Sequence, residues 1–185
     1  MVRIPNASKL ALVFIASGYL AHAETESWRT HSLGPSLEVQ IPATWRVLES
    51  SSPERLAILS AKQGAEGVVI GPNEAEIIVA VEPASKSVDE LIRQNVRDAP
   101  IVSRHSMGAA DGGKAHPCAS FEEVVTKEEV GPNTFVTDTG LFCQLHDSAV
   151  VLLLRYWPND ARQAIYQNIA REMMSTIRPA KGASR

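Results

Sequence analysis

Residues 76–82 (EIIVAVE) and residues 150–157 (VVLLLRYW) decide the fold class of this chain. Each is a short, nearly continuous run of apolar side chains with turn-forming residues on both sides. Such runs are typical of strands that are covered on both faces, so they predict the centre of a β-sheet. A third stretch, residues 37–41 (LEVQI), alternates strictly between apolar and polar side chains and predicts a strand with one buried face.

Further strands are predicted on either side of these stretches, at residues 28–33, 45–48, 55–60, 101–107, 115–126 and 135–145. A helix is predicted to begin at Ser87, because Ser87 and Glu90 have the spacing of a capping box, and to end before Pro100. A second helix is predicted near the C-terminus, with its cap at Asn159 or Asp160. Its apolar face follows helical spacing through Ile165, Ile169, Met173 and Ile177.

This order of elements predicts one α+β domain, in which helices pack against a central antiparallel sheet. The domain is expected to cover residues 24–179, which is long enough for a sizeable core. Residues 180–185 are expected to form a disordered tail.

The first 23 residues have the order of a secretory signal peptide. Arg3 and Lys9 supply its basic part, residues 10–20 are apolar, and residues 21–23 (AHA) form an A-x-A cleavage site before Glu24. We therefore expect the mature protein in the periplasm or outside the cell. No stable insertion into the membrane is expected after cleavage, because no second long apolar run follows.

The predicted mature chain carries a modest excess of acidic residues. Without Arg3 and Lys9, 16 basic residues remain of 18, against 21 acidic ones, which gives a net charge of about −5. Nucleic acid is therefore not an expected partner, since no cluster of Lys and Arg is available to hold a phosphate backbone. The acidic pairs Glu122-Glu123 and Glu128-Glu129 are interpreted as solvated charges beside a turn.

Cys118 and Cys143 are expected to form a disulfide, because an even number of cysteines in an oxidising compartment favours pairing. A hairpin that turns near residues 130–132 pairs residues whose numbers sum to about 261 to 263. That register places Cys118 opposite residues 143–145, within disulfide reach.

A zinc site made of His116, Cys118, Cys143 and His146 is the alternative for the same region, since two thiolates and two imidazoles are zinc ligands. The spacing argues against it. Cys143 and His146 are three residues apart and would point to opposite faces of a regular strand.

Two further segments contain residue types found in catalytic motifs but lack the other features that those motifs require. Residues 108–114 (GAADGGK) match the start of a phosphate-binding loop, but Ala115 stands where Ser or Thr is required. His146, Asp147 and Ser148 are consecutive, whereas the members of a hydrolase triad converge from separate parts of a fold. The sequence therefore assigns no catalytic residue and no cofactor.

Residues 37–47 (LEVQIPATWRV) resemble the opening segment of PsbP-like and DcrB-like proteins, in which a strand is followed by Pro42, two further residues and Trp45. The last strand, the closing helix and the Thr176-Ile177 pair also resemble that superfamily. The resemblance implies an antiparallel sheet between helices, an α/β/α sandwich. It also implies a role in binding other proteins, with no shared catalytic residues to carry over.

The sequence favours an exported, non-catalytic accessory domain of the bacterial envelope that binds another protein or an envelope component. One alternative is a hydrolase or metal-dependent enzyme, which requires two of the isolated histidines to meet carboxylates. Those histidines are His31, His105, His116 and His146. Another alternative is a small-ligand carrier, which requires a deep apolar cleft. The sequence assigns no oligomeric state.

Overall fold

The computed structural model describes residues 27–48, 52–60, 74–96, 98–107, 117–132, 134–156 and 162–180. The strands within these ranges are β1 (Trp28–Leu33), β2 (Leu37–Pro42), β3 (Arg46–Leu48), β4 (Arg55–Leu59), β5 (Ala75–Pro83), β6 (Ile101–Ser106), β7 (Ser120–Gly131), β8 (Thr134–Gln144), β9 (Ser148–Tyr156) and β10 (Arg178–Pro179). The helices are α1 (Val88–Val96) and α2 (Gln163–Ser175).

Seven of these strands form one antiparallel sheet in the order β3-β4-β5-β9-β8-β7-β6. The two apolar stretches that decided the fold class are neighbours in it, because β5 and β9 pair from Ala75 opposite Tyr156 to Pro83 opposite Ser148. Strand β9 is the fourth of the seven strands. The prediction that residues 76–82 form a central strand is confirmed, and residues 150–156, within the most apolar predicted strand, lie beside it.

Strand β9 is apolar on both sides because both faces of the sheet are covered where it runs. Val150, Leu152 and Leu154 lie in the core cluster that contains the buried residues of α2. Ala149 and Val151 lie in a second cluster, with the buried residues of α1. We call the two sides of the large sheet the α2 face and the α1 face.

Helix α1 begins with the predicted capping box. The Ser87 backbone N–H donates to Glu90 Oε2 at 2.8 Å, and the Glu90 backbone N–H donates to Ser87 Oγ at 3.3 Å. Leu91 and Ile92 are buried on the sheet, against a cluster that includes Phe142. The helix ends at Val96 and is only nine residues long, so it covers only part of its face.

Helix α2 begins at Gln163, after an N-cap at Arg162 that makes no side-chain cap hydrogen bond. The predicted caps, Asn159 and Asp160, lie outside the described residues. The predicted apolar face was wrong at Ile165, which is 56% exposed. Tyr166 is buried instead and meets Trp45 edge-on, with ring centroids 5.9 Å apart.

The buried face of α2 contains five residues of the helix: Tyr166, Ile169, Ala170, Met173 and Met174. An ion pair adds to this packing, since Arg171 donates from Nε and Nη2 to the two carboxylate oxygens of Glu123 in β7, at 2.8 and 2.9 Å. Glu123 is buried, so interpreting it as a solvated charge beside a turn was wrong. Glu122, on the opposite face, binds Arg104 in β6 at 2.6 Å.

A second, three-stranded sheet has the order β1-β2-β10 and packs with α2 over the α2 face. The sequence did not predict its strand β10. Arg178 pairs with Glu38 and Pro179 with Leu37, and the Ala180 backbone N–H donates to Ser36 O at 2.8 Å. Residues 181–185, the rest of the expected tail, lie outside the described residues.

The predicted α+β class, a central antiparallel sheet flanked by helices, is confirmed. One face carries α1 and the other carries α2 with the small sheet. Among the described residues, neither helix has the length and apolar composition needed to cross a membrane.

Candidate functional site

Cys118 and Cys143 form a disulfide, with an S–S distance of 1.99 Å and Cα atoms 5.2 Å apart. The register predicted for the hairpin was wrong, however. Cys143 lies opposite Phe121, and Cys118 precedes the first residue of β7. The bridge therefore connects the segment leading into β7 to β8 rather than two residues that face each other across the ladder.

The disulfide uses both sulfur atoms that the alternative zinc site required. His146, the third proposed ligand, lies in the turn between β8 and β9, where its side chain is 95% exposed and contacts Asp147. His116, the fourth, lies outside the described residues. Within the described ranges, no group of three or more His, Cys, Asp or Glu side chains is placed to hold a metal ion.

The other histidines lie on separate elements. His31 is on β1 in the small sheet and His105 is on β6 at the edge of the large sheet. Partial burial, followed by the charge of Arg29, lowers the pKa of His31 below its usual value. His146 contacts one carboxylate, Asp147, but the structure shows no place where two of the described histidines meet carboxylates, as the enzyme alternative requires.

An open cleft lies on the α1 face, where the short helix leaves the sheet uncovered. It has a volume of about 760 Å³. Its floor is formed by strands β4, β5, β9, β8 and β7, and its wall by the end of α1 and the connection to β6. We call it the α1 cleft. The residues that line this cleft include Arg55, Glu76, Ile78, Gln94, Asp98, Thr126, Glu128, Glu129, Asp138, Gly140, Leu153 and Arg155.

Arg155 stands at the centre of the polar part of the cleft floor. Its Nε and Nη2 donate to the two carboxylate oxygens of Asp138, directly opposite on β8, at 2.8 and 2.7 Å. Nη2 also donates to Glu128 on β7 at 2.6 Å. The hydrogen bonds to Asp138 raise the pKa of Arg155 above its ordinary value, so the guanidinium stays charged. Glu128 is thus another paired acid, whereas it was predicted to be a solvated charge beside a turn.

Glu76 lies opposite Arg155 on the other neighbouring strand, β5. Its side chain is buried, with 8% of the residue exposed. Burial raises the pKa of Glu76, and the positive charge of Arg155 partly offsets this effect. No hydrogen bond from another described residue reaches its carboxylate. Glu76 is therefore a largely buried acid that lines the cleft and receives no hydrogen bond from the described residues.

Gly140 leaves the cleft floor without a side chain between Asp138 and the part of β8 that helix α1 covers. A β-carbon at this position would lie 2.6 and 2.8 Å from ring atoms of Phe142, which is fully buried beneath the helix. The ring therefore occupies the space that a side chain would need. Half-buried Ile78 and Leu153 give this part of the floor an apolar character.

The lining of the cleft is acidic overall. It contains five carboxylates (Glu76, Asp98, Glu128, Glu129 and Asp138) and two guanidinium groups (Arg55 and Arg155). The cleft was not predicted from the sequence, although one signal was present. Glu76 and Arg155 place charges at one end of the two most buried strands, where an apolar residue is expected.

Comparison with solved structures identifies similar folds at low sequence identity. Mog1p, a Ran-binding protein of Saccharomyces cerevisiae, matches with a TM-score of 0.53 and 13% identity over 83% of this chain and 95% of Mog1p. The PsbP protein (CyanoP) of the cyanobacterium Synechocystis matches with a TM-score of 0.49 and 11% identity, over 89% of this chain and 99% of that protein. LpqN, a Mycobacterium tuberculosis protein involved in cell envelope biogenesis, matches with a TM-score of 0.43 and 16% identity, over 86% of this chain and 88% of LpqN.

No protein-family model matches this chain, and no curated protein matches it by sequence. The likeness to Mog1p, at 13% identity, concerns the fold alone. The chain shares the α+β fold of Mog1p, with an antiparallel sheet between helices, as the segment around Pro42 and Trp45 implied.

Proposed function

We propose that this chain is an exported, non-catalytic accessory domain that binds another protein through the α1 cleft. The observation that carries the proposal is the incomplete cover of the α1 face. Helix α1 stops at Val96, and the floor beyond it holds both apolar side chains and a buried acid. A surface of this kind combines area that can be removed from water with polar groups that select the partner.

Two independent features support the proposal. Mog1p, which has a similar fold, is a Ran-binding protein, so one protein with this architecture binds another protein. The disulfide between Cys118 and Cys143 suits an oxidising compartment, in agreement with the export signal proposed at residues 1–23.

Site-specific photo-crosslinking in cells of the source organism tests the binding surface. We expect a photoreactive benzoyl-phenylalanine in place of Gln94, an exposed residue on the cleft wall, to give a covalent adduct with a partner protein. The matched control replaces Ser32, which is exposed on β1 in the small sheet, and should give no adduct. Equal adducts from both positions, or none from Gln94, would contradict the proposal.

Mass spectrometry of the protein recovered after expression of the full chain tests export. We expect the mature N-terminus at Glu24 and the protein outside the cytoplasm. Recovery of an uncut chain from the cytoplasm would contradict this part of the proposal and leave the binding surface to its own test.

A further inference from the structure

We infer that the α1 cleft recognises a basic side chain, lysine or arginine, flanked by apolar residues in a segment of the partner protein. This inference rests on the proposed function and adds the chemistry of the partner. It follows from the charge of the cleft, the burial of Glu76 and the apolar surface beside it.

The charge of the lining selects a cation. Asp138 and Glu128 are already bound to Arg155, so one guanidinium is balanced by two carboxylates. Asp98 and Glu129 add two exposed carboxylates at the rim, and the structure shows no ion pair from described residues to either. Arg55 is the remaining cationic group of the lining. A partner that brings positive charge would therefore meet an excess of negative charge.

Glu76 provides the point of recognition within this charged surface. The residue is 8% exposed, its carboxylate oxygens are not among the fully buried polar atoms that lack a partner, and no described residue donates a hydrogen bond to them, so the carboxylate is available to a donor that enters the cleft. Arg155 lies directly opposite Glu76 on β9, and Leu59 is its partner on β4. Asp138, one strand further on β8, and Arg55, at the other end of β4, act on Glu76 only through their charges, and burial is the main cause of its raised pKa. An ammonium or guanidinium group from outside would supply both the missing donors and a compensating charge.

Apolar surface lies next to this point and selects the residues beside the basic one. Ile78 and Leu153 are half-buried in the floor. A leucine-sized side chain on either side of the basic residue would cover this surface.

Titration of the isotope-labelled protein with synthetic peptides, followed by NMR, tests the inference. The protein is purified after expression of the full chain, and the probe is the peptide GSLKLKLSG. Its controls are GSLELELSG, in which the charge is reversed, and GSSKSKSSG, in which the apolar residues are removed. We expect the lysine-leucine peptide to shift the backbone amides of Glu76, Gly140 and Arg155 saturably, and both controls to bind at least several-fold more weakly.

The variant Glu76→Gln should weaken binding of the lysine-leucine peptide about tenfold, since a hydrogen bond to a charged group contributes that much or more. The matched control Glu54→Gln, which replaces an exposed acid that does not line the cleft, should change it less than twofold. Because Glu76→Gln is expected to keep or increase stability, weaker binding would not reflect unfolding.

Three outcomes would overturn the inference. They are tighter binding of the glutamate-leucine peptide, equal effects of Glu76→Gln and Glu54→Gln, and concentration-dependent dimerisation that Glu76→Gln abolishes, which would assign the cleft to a second copy of the chain. The first two leave the proposed function standing if crosslinking at Gln94 captures a partner. A failure of that crosslinking would count against the proposed function itself.

Discussion

Removal of the disulfide should destabilise the domain substantially. The double variant Cys118→Ala/Cys143→Ala opens a loop closed by two residues 25 positions apart in the sequence. In the chain-entropy model, a loop of that length contributes about 3.5 kcal/mol to the free energy of unfolding at 25 °C, because the cross-link restricts the unfolded chain. Cys143 is also fully buried, so the loss of its sulfur removes core contacts in addition.

Urea and thermal denaturation of the oxidised protein, the reduced protein and the double variant measure this effect. We expect the melting temperature of the double variant to fall by roughly 7–14 °C, from the entropy change at the midpoint for a domain of this size. Reduction of the wild-type protein should give a similar fall. The double variant is its own control for the reductant, because dithiothreitol should leave its stability unchanged.

If oxidised and reduced wild-type protein unfolded at the same urea concentration, the disulfide would contribute nothing to stability. Thiol labelling of the denatured, unreduced protein provides a separate check of the covalent bond. No reactive thiol is expected, and two reactive thiols would show that the cysteines are not paired. In that case the argument from an oxidising compartment would lose its structural support.

Three further predictions concern single residues. Glu76→Gln should increase the free energy of unfolding at pH 7, because burial raises the pKa of Glu76 and penalises its charged form. This gain in stability should be complete above the folded-state pKa and vanish below the unfolded-state pKa. Urea titrations from pH 7 down to below about 4 should therefore show the gain shrinking. Arg171→Ala should lower the free energy of unfolding, measured in urea, by about 1–3 kcal/mol, because it leaves buried Glu123 without its ion pair while Arg171 itself is 38% exposed. Adding Glu123→Gln to this variant should recover part of the lost stability. Gly140→Ala should lower the free energy of unfolding by about 1–3 kcal/mol, because the new methyl group overpacks against Phe142. The double variant with Phe142→Leu should lose less stability than the two single variants add up to. Strictly additive losses would show that the Gly140→Ala methyl group does not clash with Phe142.

The fold was predictable from the sequence because its main signals are local. The apolar runs of β5 and β9 identified the centre of the sheet, and the capping box at Ser87 identified the start of α1. Strand β10 could not be predicted, because two residues carry no periodicity and only their pairing with β2 makes them a strand. Ile165 was misassigned because helical spacing allows several apolar faces, and contacts such as that between Tyr166 and Trp45 decide which one is buried.

The cleft was not predictable because it depends on register. Glu76, Arg155 and Asp138 meet only because three neighbouring strands align them side by side. The hairpin register expected from the sequence differed from the observed pairing of Phe121 with Cys143, and a shift of a single residue moves every side chain of a strand to the other face. Single-sequence periodicity therefore gives the strands, but not which charges share a face.

The charges at the end of β5 and β9 bear on function because stability does not account for them. An apolar residue in place of Glu76 would continue the pattern of β5, and replacement of a buried ionic group by a well-packed apolar one is often neutral or stabilising. Arg155 is satisfied by Asp138 and Glu128, whereas Glu76 is not hydrogen-bonded by described residues. If Glu76→Gln both stabilises the domain and weakens binding of a basic peptide, then the unsatisfied acid serves recognition at the expense of stability. If it stabilises the domain and binding is unchanged, burial of Glu76 is a property of the fold alone, and crosslinking at Gln94 then decides whether the α1 cleft binds a partner by other contacts.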